Sequence, residues 1–115
     1  MERKKRLSRS DDIQRVRQKG KSFPHPHFVL IISDGEPNKD PLIGVISTKS
    51  VGGAVERNRS KRVLREAAMN LFPRLRKGLK LVLIARKKIL DADTNEVTFE
   101  LEKICTKAGI ILEAS

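Results

Sequence analysis

The apolar residues of this chain occur in short groups separated by charged stretches and turn residues, which is typical of alternating helices and strands. The first group has helical spacing, with Ile13 and Val16 on one face. Ser10 is placed to cap the start of this segment, and Gly20 is placed to end it. We therefore predict a first helix over residues 10–20.

Three runs rich in branched apolar residues predict strands over residues 28–32, 42–49 and 80–87. The first run follows Pro24 and Pro26, which indicates an irregular or edge segment before it. The stretch "DGEPNKDP" between the first two runs predicts a turn.

The last segment has helical spacing again and predicts a helix packed on the sheet. Asp93 or Thr94 is placed to cap its start, and Gly109 follows its end. Its apolar stripe consists of Val97, Leu101, Ile104, Cys105 and Ala108.

The stretch "AVERNRSKRVLREAA", residues 54–68, predicts a helix with two different faces. At about 100° per residue, Arg57, Lys61 and Arg65 lie one above another. Asn58 and Arg62 lie on the same side, and Arg59 flanks them. The opposite side, predicted to pack inward, carries Val63, Leu64, Ala67 and Leu71. We call the following residues the basic face: Arg57, Asn58, Arg59, Lys61, Arg62 and Arg65.

Helix stability does not explain the basic face, because like charges four residues apart destabilise a helix. Binding to a polyanion does explain it, since a row of cations releases counterions from successive phosphates. The planar guanidinium of arginine can also meet a phosphate or a guanine edge at two points. Asn58 can donate and accept hydrogen bonds to a base edge or a 2′-hydroxyl. A solvated charged face, an acidic partner and a membrane surface remain alternatives, the last being weaker because the apolar side is needed to cover the sheet.

The overall charge supports a polyanionic partner. The chain has 115 residues, with 25 Lys and Arg against 14 Asp and Glu, a formal charge of +11. This charge favours nucleic acid first and anionic membrane second, and the length fits one domain. Aromatic residues make up 3% of the chain, so the core must be aliphatic and base stacking is limited. We expect residues 1–6 to form a flexible basic tail.

The remaining reactive residues do not indicate a protein-based active site. Cys105 cannot form an internal disulfide, and no signal sequence or membrane span is evident, so we predict a cytoplasmic protein with Cys105 in the core. His25 and His27 flank a proline with no third ligand evident, and we expect them to be exposed and without a metal. The pattern shows no paired carboxylates or histidines suited to hydrolysis.

The basic face resembles the arginine-asparagine-arginine motif of the bacterial ribonuclease P protein family. The family pattern, Arg-Asn-Arg, one residue, Lys-Arg, two residues, Arg, is matched by the six residues of the basic face. The stretches "IGVISTKSVGGAV" and "RLSRSDDIQRVRQKGKS" are similar to the family's strand and loop before this helix and to its first helix. The likeness therefore covers essentially the whole chain.

The resemblance implies an α+β fold, a single-domain two-layer sandwich like ribosomal protein S5 domain 2. A four-stranded, mostly antiparallel sheet would pack with about three helices in the order αβββαβα. The arginine-rich helix would connect two central strands that run parallel.

The resemblance also implies a function. The chain would join the catalytic RNA of ribonuclease P and promote removal of the 5′ leader from precursor tRNA, with the chemistry carried by the RNA and its Mg²⁺. It would hold no metal or catalytic residue of its own, would contact no membrane, and would be a monomer within the particle. The basic face would bind the catalytic RNA. The rival interpretations are a structural ribosomal protein that binds rRNA without catalysis and a DNA-binding regulator using residues 54–70 as a recognition helix.

A second surface is implied by the same resemblance, a cleft between the first helix and the sheet that holds the leader. By position it would include Ile13, Arg17, Ile31, Ile46, Thr48 and Lys49. Aromatic residues common in the family at the first three of these positions are absent, so leader bases would meet aliphatic surface and a guanidinium. Ser60 and Ala68 stand where larger apolar residues are frequent in the family.

Overall fold

The computed structural model describes residues 5–112, and it confirms the element order αβββαβα. The helices are α1 (Ser10–Lys19), α2 (Ala54–Leu71) and α3 (Thr94–Lys107). The strands are β1 (Lys21–Pro24), β2 (Phe28–Asp34), β3 (Leu42–Ile46) and β4 (Leu79–Ala85). Short 3-10 helices at Phe72–Arg74 and Lys87–Asp91 flank β4.

The strands form one mixed sheet in the spatial order β1-β2-β4-β3. β1 pairs antiparallel with β2, and β2 with β4, while β3 and β4 run parallel and are joined through α2. The expectation of a parallel pair linked by the arginine-rich helix is therefore correct. However, β4 is central and β3 lies at the edge, so the two parallel strands are not both central.

The chain before α1 runs beside this edge strand. Arg6 forms an isolated parallel bridge with Ile43, and the Leu7 amide donates to the Ile43 carbonyl at 2.8 Å. The flexible tail predicted over residues 1–6 lies mostly outside the described residues. Its described member Arg6 is held against β3 by backbone pairing.

The two faces of the sheet pack against different helices because side chains alternate along each strand. One face, including Phe28 and Leu83, forms the main core with α2 and α3. On the opposite face, Ile31 and Val82 pack with Val16 of α1. The sheet thus separates the main core from a smaller cluster under α1, and β2, β3 and β4 contribute to both.

Local sequence explains several element ends. Ser10 is the first residue of α1 rather than its cap, and the preceding Arg9 makes no side-chain capping bond. Asp93 does cap α3, accepting a hydrogen bond from the Glu96 amide at 2.8 Å. At Gly20 a Cβ atom would lie 2.6 Å from Ile31 Cγ2, so glycine permits the close approach between the end of α1 and β2.

β3 and β4 end earlier than their apolar runs predicted, whereas β2 continues to Asp34, two residues beyond its predicted end. β3 ends at Ile46 and β4 at Ala85, before the polar residues at the ends of both predicted segments. Within residues 5–112, no helix is both long enough and apolar enough to cross a membrane.

Candidate nucleic-acid interface

Helix α2 has the two faces that its sequence predicts. Gly53 precedes its first residue, and the Arg57 amide donates to the Gly53 carbonyl at 2.9 Å in the first turn. The inward side carries six buried residues and packs into the main core. They are Ser60, Val63, Leu64, Ala67, Ala68 and Leu71.

The basic face lies at the surface along its whole length. Asn58, Arg59 and Arg62 are exposed, whereas Arg57, Lys61 and Arg65 are partly exposed. The side chains of this second group are therefore partly covered by the protein and partly open to solvent.

Five residues of the basic face, all except Asn58, are cations, and their charge is not neutralised within the described part of the chain. No carboxylate oxygen in residues 5–112 lies within 4.0 Å of any of them. Arg57 donates from Nη1 to the Gly52 carbonyl at 3.3 Å, a contact that orients the side chain without cancelling its charge. The nearby Glu66 accepts a hydrogen bond from Thr94 of α3 at 3.1 Å. The basic face therefore presents uncompensated positive charge to solvent.

A buried serine contact links α2 to the loop after β3. The Ser60 hydroxyl lies 2.7 Å from the Ser47 hydroxyl and 2.8 Å from the carbonyl oxygen of Arg57. Ser60 is only 1% exposed and Ser47 is partly exposed, so the contact lies at the edge of the core. A small polar residue at position 60 thus has a structural role where the family often has a larger apolar one.

The second surface is an aliphatic strip on the sheet face that α1 partly covers. The strand registers place Val29 of β2 beside Ile84 of β4, and Ile84 beside Ile46 of β3. All three are partly exposed, as is Ile13 of α1, which packs against the same cluster. We call Ile13, Val29, Ile46 and Ile84 the apolar strip.

The structure places the predicted leader-cleft residues in three different environments. Ile13 and Ile46 belong to the apolar strip. Arg17 is exposed one turn after Ile13 on α1, and Thr48 and Lys49 are exposed just after β3. Ile31 is 6% exposed and packs in the cluster under α1, so it supports this surface and has little area to offer a ligand.

Sequence reasoning missed two members of the strip, Val29 and Ile84, although both alternate with core residues along their strands. It also missed a basic segment that directly follows β4. Because β3 and β4 are parallel, the exposed residues 86–88, Arg-Lys-Lys, leave the sheet at the same edge as Lys49. The signal was present in the sequence as the basic run that follows the β4 apolar residues.

The two histidines do not lie where we expected them. His27 is 7% exposed, and its Nδ1 lies 2.6 Å from Oε2 of Glu100 on α3. His25 Nε2 lies 3.5 Å from the same oxygen, and burial lowers the pKa of His25, an effect that the Glu100 charge opposes. The expectation of exposed histidines without a third group is therefore wrong, because Glu100 reaches them from 73 positions along the chain.

Cys105 is confirmed as a core residue. It is 1% exposed on the inward side of α3. Burial raises the pKa of the thiol to about 12, with Glu102 adding to the shift, so the thiol is protonated at neutral pH. This environment is unsuited to a nucleophile.

The chain is similar in sequence to known proteins over nearly its whole length. The family model described as Ribonuclease P matches residues 1–109. The ribonuclease P protein component of Bacillus cereus (strain B4264) is 36% identical over 110 residues, covering 96% of each chain. That of Bacillus anthracis (strain CDC 684 / NRRL 3495) is 34% identical over 110 residues, covering 96% of this chain and 92% of its own.

Solved structures show the same fold. The RNase P protein of Staphylococcus aureus gives a TM-score of 0.81 at 26% identity, covering 93% of this chain and 97% of that one. The RNase P protein of Thermotoga maritima gives a TM-score of 0.76 at 26% identity, covering 89% and 96% respectively. Sequence, fold and the surface position of the basic face agree, and the chain belongs to the ribonuclease P protein family.

Proposed function

We propose that this chain uses the basic face to hold the catalytic RNA of ribonuclease P, and the apolar strip to hold the 5′ leader of precursor tRNA. RNA binding and a part in tRNA processing, as the protein subunit of ribonuclease P, follow from membership of the family. We propose three further steps. Each surface binds one of the two RNAs, the catalytic RNA carries out the chemistry with Mg²⁺, and the chain acts as a cytoplasmic monomer.

The observation that carries the proposal is the lack of carboxylate partners for the five cations of the basic face among residues 5–112. By contrast, Arg74 has a carboxylate partner, Glu102 of α3. Unpaired cations in a row on one rigid helix repel each other until a polyanion binds, and RNA phosphates supply that partner. The anchored helix also limits the entropy that these side chains lose on binding.

The side-chain inventory supports assigning the chemistry to RNA. Hydrolysis of a phosphodiester by a protein commonly uses carboxylates that hold Mg²⁺ through oxygen ligands. Within the described residues, the single cluster of potential metal ligands is His25, His27 and Glu100, whose imidazole nitrogens are poorly suited to Mg²⁺. In the proposed particle, Mg²⁺ is therefore held mainly by the RNA, and the protein contributes charge and positioning.

The apolar strip suits an extended single strand better than a duplex. A row of partly exposed aliphatic side chains crosses three strands and offers contact to base or ribose faces without hydrogen-bond readout. Arg17, one turn after Ile13, and Lys49, three residues after Ile46, are exposed and can meet leader phosphates. Because aliphatic contacts discriminate weakly among bases, we expect broad tolerance of leader sequence.

The proposal is tested by reconstitution at low Mg²⁺. The purified chain is added to a bacterial ribonuclease P RNA and a precursor tRNA, and correct 5′ cleavage is measured. We expect stimulation with the RNA present and no cleavage by the protein alone. A matched variant with Arg57, Lys61 and Arg65 changed to Gln should lose the stimulation while keeping the fold by circular dichroism.

Two results would contradict the proposal. Cleavage by the protein in the absence of catalytic RNA would show that the protein, and not the RNA, carries out the hydrolysis. Full stimulation by the triple Gln variant would show that the basic face does not bind the catalytic RNA. Binding to rRNA with no effect on cleavage would instead favour a purely structural ribosomal role. The mass of the assembled particle tests the proposed single copy of the protein.

A further inference from the structure

We propose that His25, His27 and Glu100 form a binding site for a divalent transition-metal ion of the Zn²⁺ class. His25 and His27 lie in the turn between β1 and β2, and Glu100 lies on α3. Each side chain offers one ligand atom, and these atoms all lie within 4.8 Å of one another. The site is separate from the basic face and the apolar strip, and the proposed RNA function does not use it.

One of the three distances between ligand atoms already matches that of a tetrahedral site, and all three are within 4.8 Å. With metal bonds of about 2.0 to 2.1 Å, such ligand atoms lie roughly 3.4 Å apart. Glu100 Oε2 is already 3.5 Å from His25 Nε2. Its 2.6 Å distance from His27 Nδ1 is a hydrogen-bond distance, and it would widen by about 1 Å when the metal replaces the bridging proton.

The donor set selects the class of metal. Two imidazole nitrogens and one carboxylate oxygen suit Zn²⁺, Co²⁺, Ni²⁺ and Cu²⁺, whereas Mg²⁺ and Ca²⁺ prefer oxygen ligands. Three protein ligands leave one tetrahedral position for water. The side chains of His25 and Glu100 are 21% and 20% exposed, so an ion can reach them from solvent. Both also line a surface groove of about 700 Å³ along α3, beside Phe99 and Lys103.

Metal binding requires a defined rearrangement of protons. In the metal-free protein His25 Nδ1 accepts a hydrogen bond from the His27 amide at 3.0 Å, so the ring proton of neutral His25 is on Nε2. With the metal bound, each ring carries its proton on the nitrogen that faces away from the ion, so a ring that starts neutral keeps its single proton and only changes tautomer. The bond to His25 Nδ1 is then broken, so the turn must move locally when the metal enters.

Nearby charges also affect the affinity. Glu100 attracts the cation, while Lys88 and Lys103 lie close enough to disfavour positive charge at His25. The bound ion would join the turn between β1 and β2 to α3. Because it binds the folded arrangement, it would stabilise the protein by mass action.

The test uses the full-length untagged chain in a Cys105→Ala background, so that neither a histidine tag nor the thiol supplies ligands. Zn²⁺ binding is measured by calorimetry, and Co²⁺ binding by visible absorption. We expect one ion per chain and a Co²⁺ spectrum without thiolate bands. At about 100 times Kd, the Tm should rise by on the order of 10 °C.

Matched variants locate the ion. His25→Asn removes one ligand and leaves the contact between His27 and Glu100, and Glu100→Gln removes the carboxylate while keeping an oxygen acceptor. Each should weaken Zn²⁺ binding by at least about tenfold. Glu102→Gln removes the same charge two residues further along α3, where the side chain pairs with Arg74, and should bind like the parent.

The inference is overturned if the parent chain shows no stoichiometric binding, or if His25→Asn binds Zn²⁺ as tightly as the parent. If Glu100→Gln fails to fold, His25→Asn alone tests the site. The His25 side chain is partly exposed, so we expect this variant to fold. Amide NMR shifts on Zn²⁺ addition provide the independent readout. They should centre on residues 25–28 and on Glu100, and shifts centred elsewhere would contradict the site.

Discussion

The hydroxyl groups of Ser47 and Ser60 lie 2.7 Å apart, joining the loop after β3 to the buried side of α2. Ser60 also lies 2.8 Å from the carbonyl oxygen of Arg57, one turn earlier in the same helix. The contact therefore adds to the apolar packing of Val63 and Leu64 in holding the buried side of α2 against the sheet. It lies in the same turn of the helix as the start of the basic face.

Replacing Ser60 with Ala should lower the free energy of unfolding by about 0.5 to 1.5 kcal/mol, because the buried contact to Ser47 is lost. Urea denaturation measures the change. Thr106→Ala is the matched control, since its hydroxyl makes an exposed bond to the Glu102 carbonyl, and it should stay within about 0.5 kcal/mol of the parent. Equal effects of the two variants would argue against a special role for Ser60.

Substitutions on the apolar side of α2 should lower the free energy of unfolding far more than substitutions on its exposed side. Leu64 is fully buried in the main core, so Leu64→Ala should cost about 2 to 5 kcal/mol of unfolding free energy. Val55 lies on the same helix but is exposed, and Val55→Ala should cost less than about 0.5 kcal/mol. A small loss for Leu64→Ala would mean that α2 does not pack on the sheet as described.

Cys105 should resist alkylation in the native protein. Its thiol is buried, and with a pKa of about 12 it contains almost no thiolate at pH 8. Iodoacetamide labelling followed by mass spectrometry should show slow modification in buffer and rapid modification in 6 M guanidinium. Rapid labelling of the native chain would contradict the placement of Cys105 in the core.

Trimming the apolar strip should weaken the binding of precursor tRNA more than that of mature tRNA. Ile46→Ala removes partly buried methyl and methylene groups, and we expect a loss near 1 kcal/mol, or roughly fivefold in affinity, when the catalytic RNA is present. Leu112→Ala removes an exposed apolar side chain near the end of the described chain and serves as the control. An equal loss for mature tRNA would show that Ile46 does not contact the leader.

Local patterns in the sequence were sufficient for most of the fold. The spacing of Ile13 and Val16 predicted α1, and the helical positions of Val63 and Leu64 predicted the buried side of α2. These features depend on residues a few positions apart, so periodicity alone reveals them. The basic face could be predicted from periodicity in the same way, because Arg57, Lys61 and Arg65 align in any regular helix.

Long-range relationships were not predictable from periodicity. The contact of Glu100 with His27 spans 73 positions and depends on how α3 packs against the β1–β2 turn. The edge position of β3 and the pairing of Ile46 with Ile84 depend on strand order. The helical position of Ser60 places it on the inward side of α2, but its contact with Ser47 could not be predicted from periodicity.

The most direct test of the basic face is the salt dependence of binding to the catalytic RNA. Arg57→Ala and Arg65→Ala should each reduce the slope of log K against log salt by about one unit, because each removes about one phosphate contact. Arg74→Ala removes the same charge from an arginine already paired with Glu102, and its slope should match that of the parent. Unchanged slopes for both basic-face variants would contradict the proposal that this face of α2 binds the RNA.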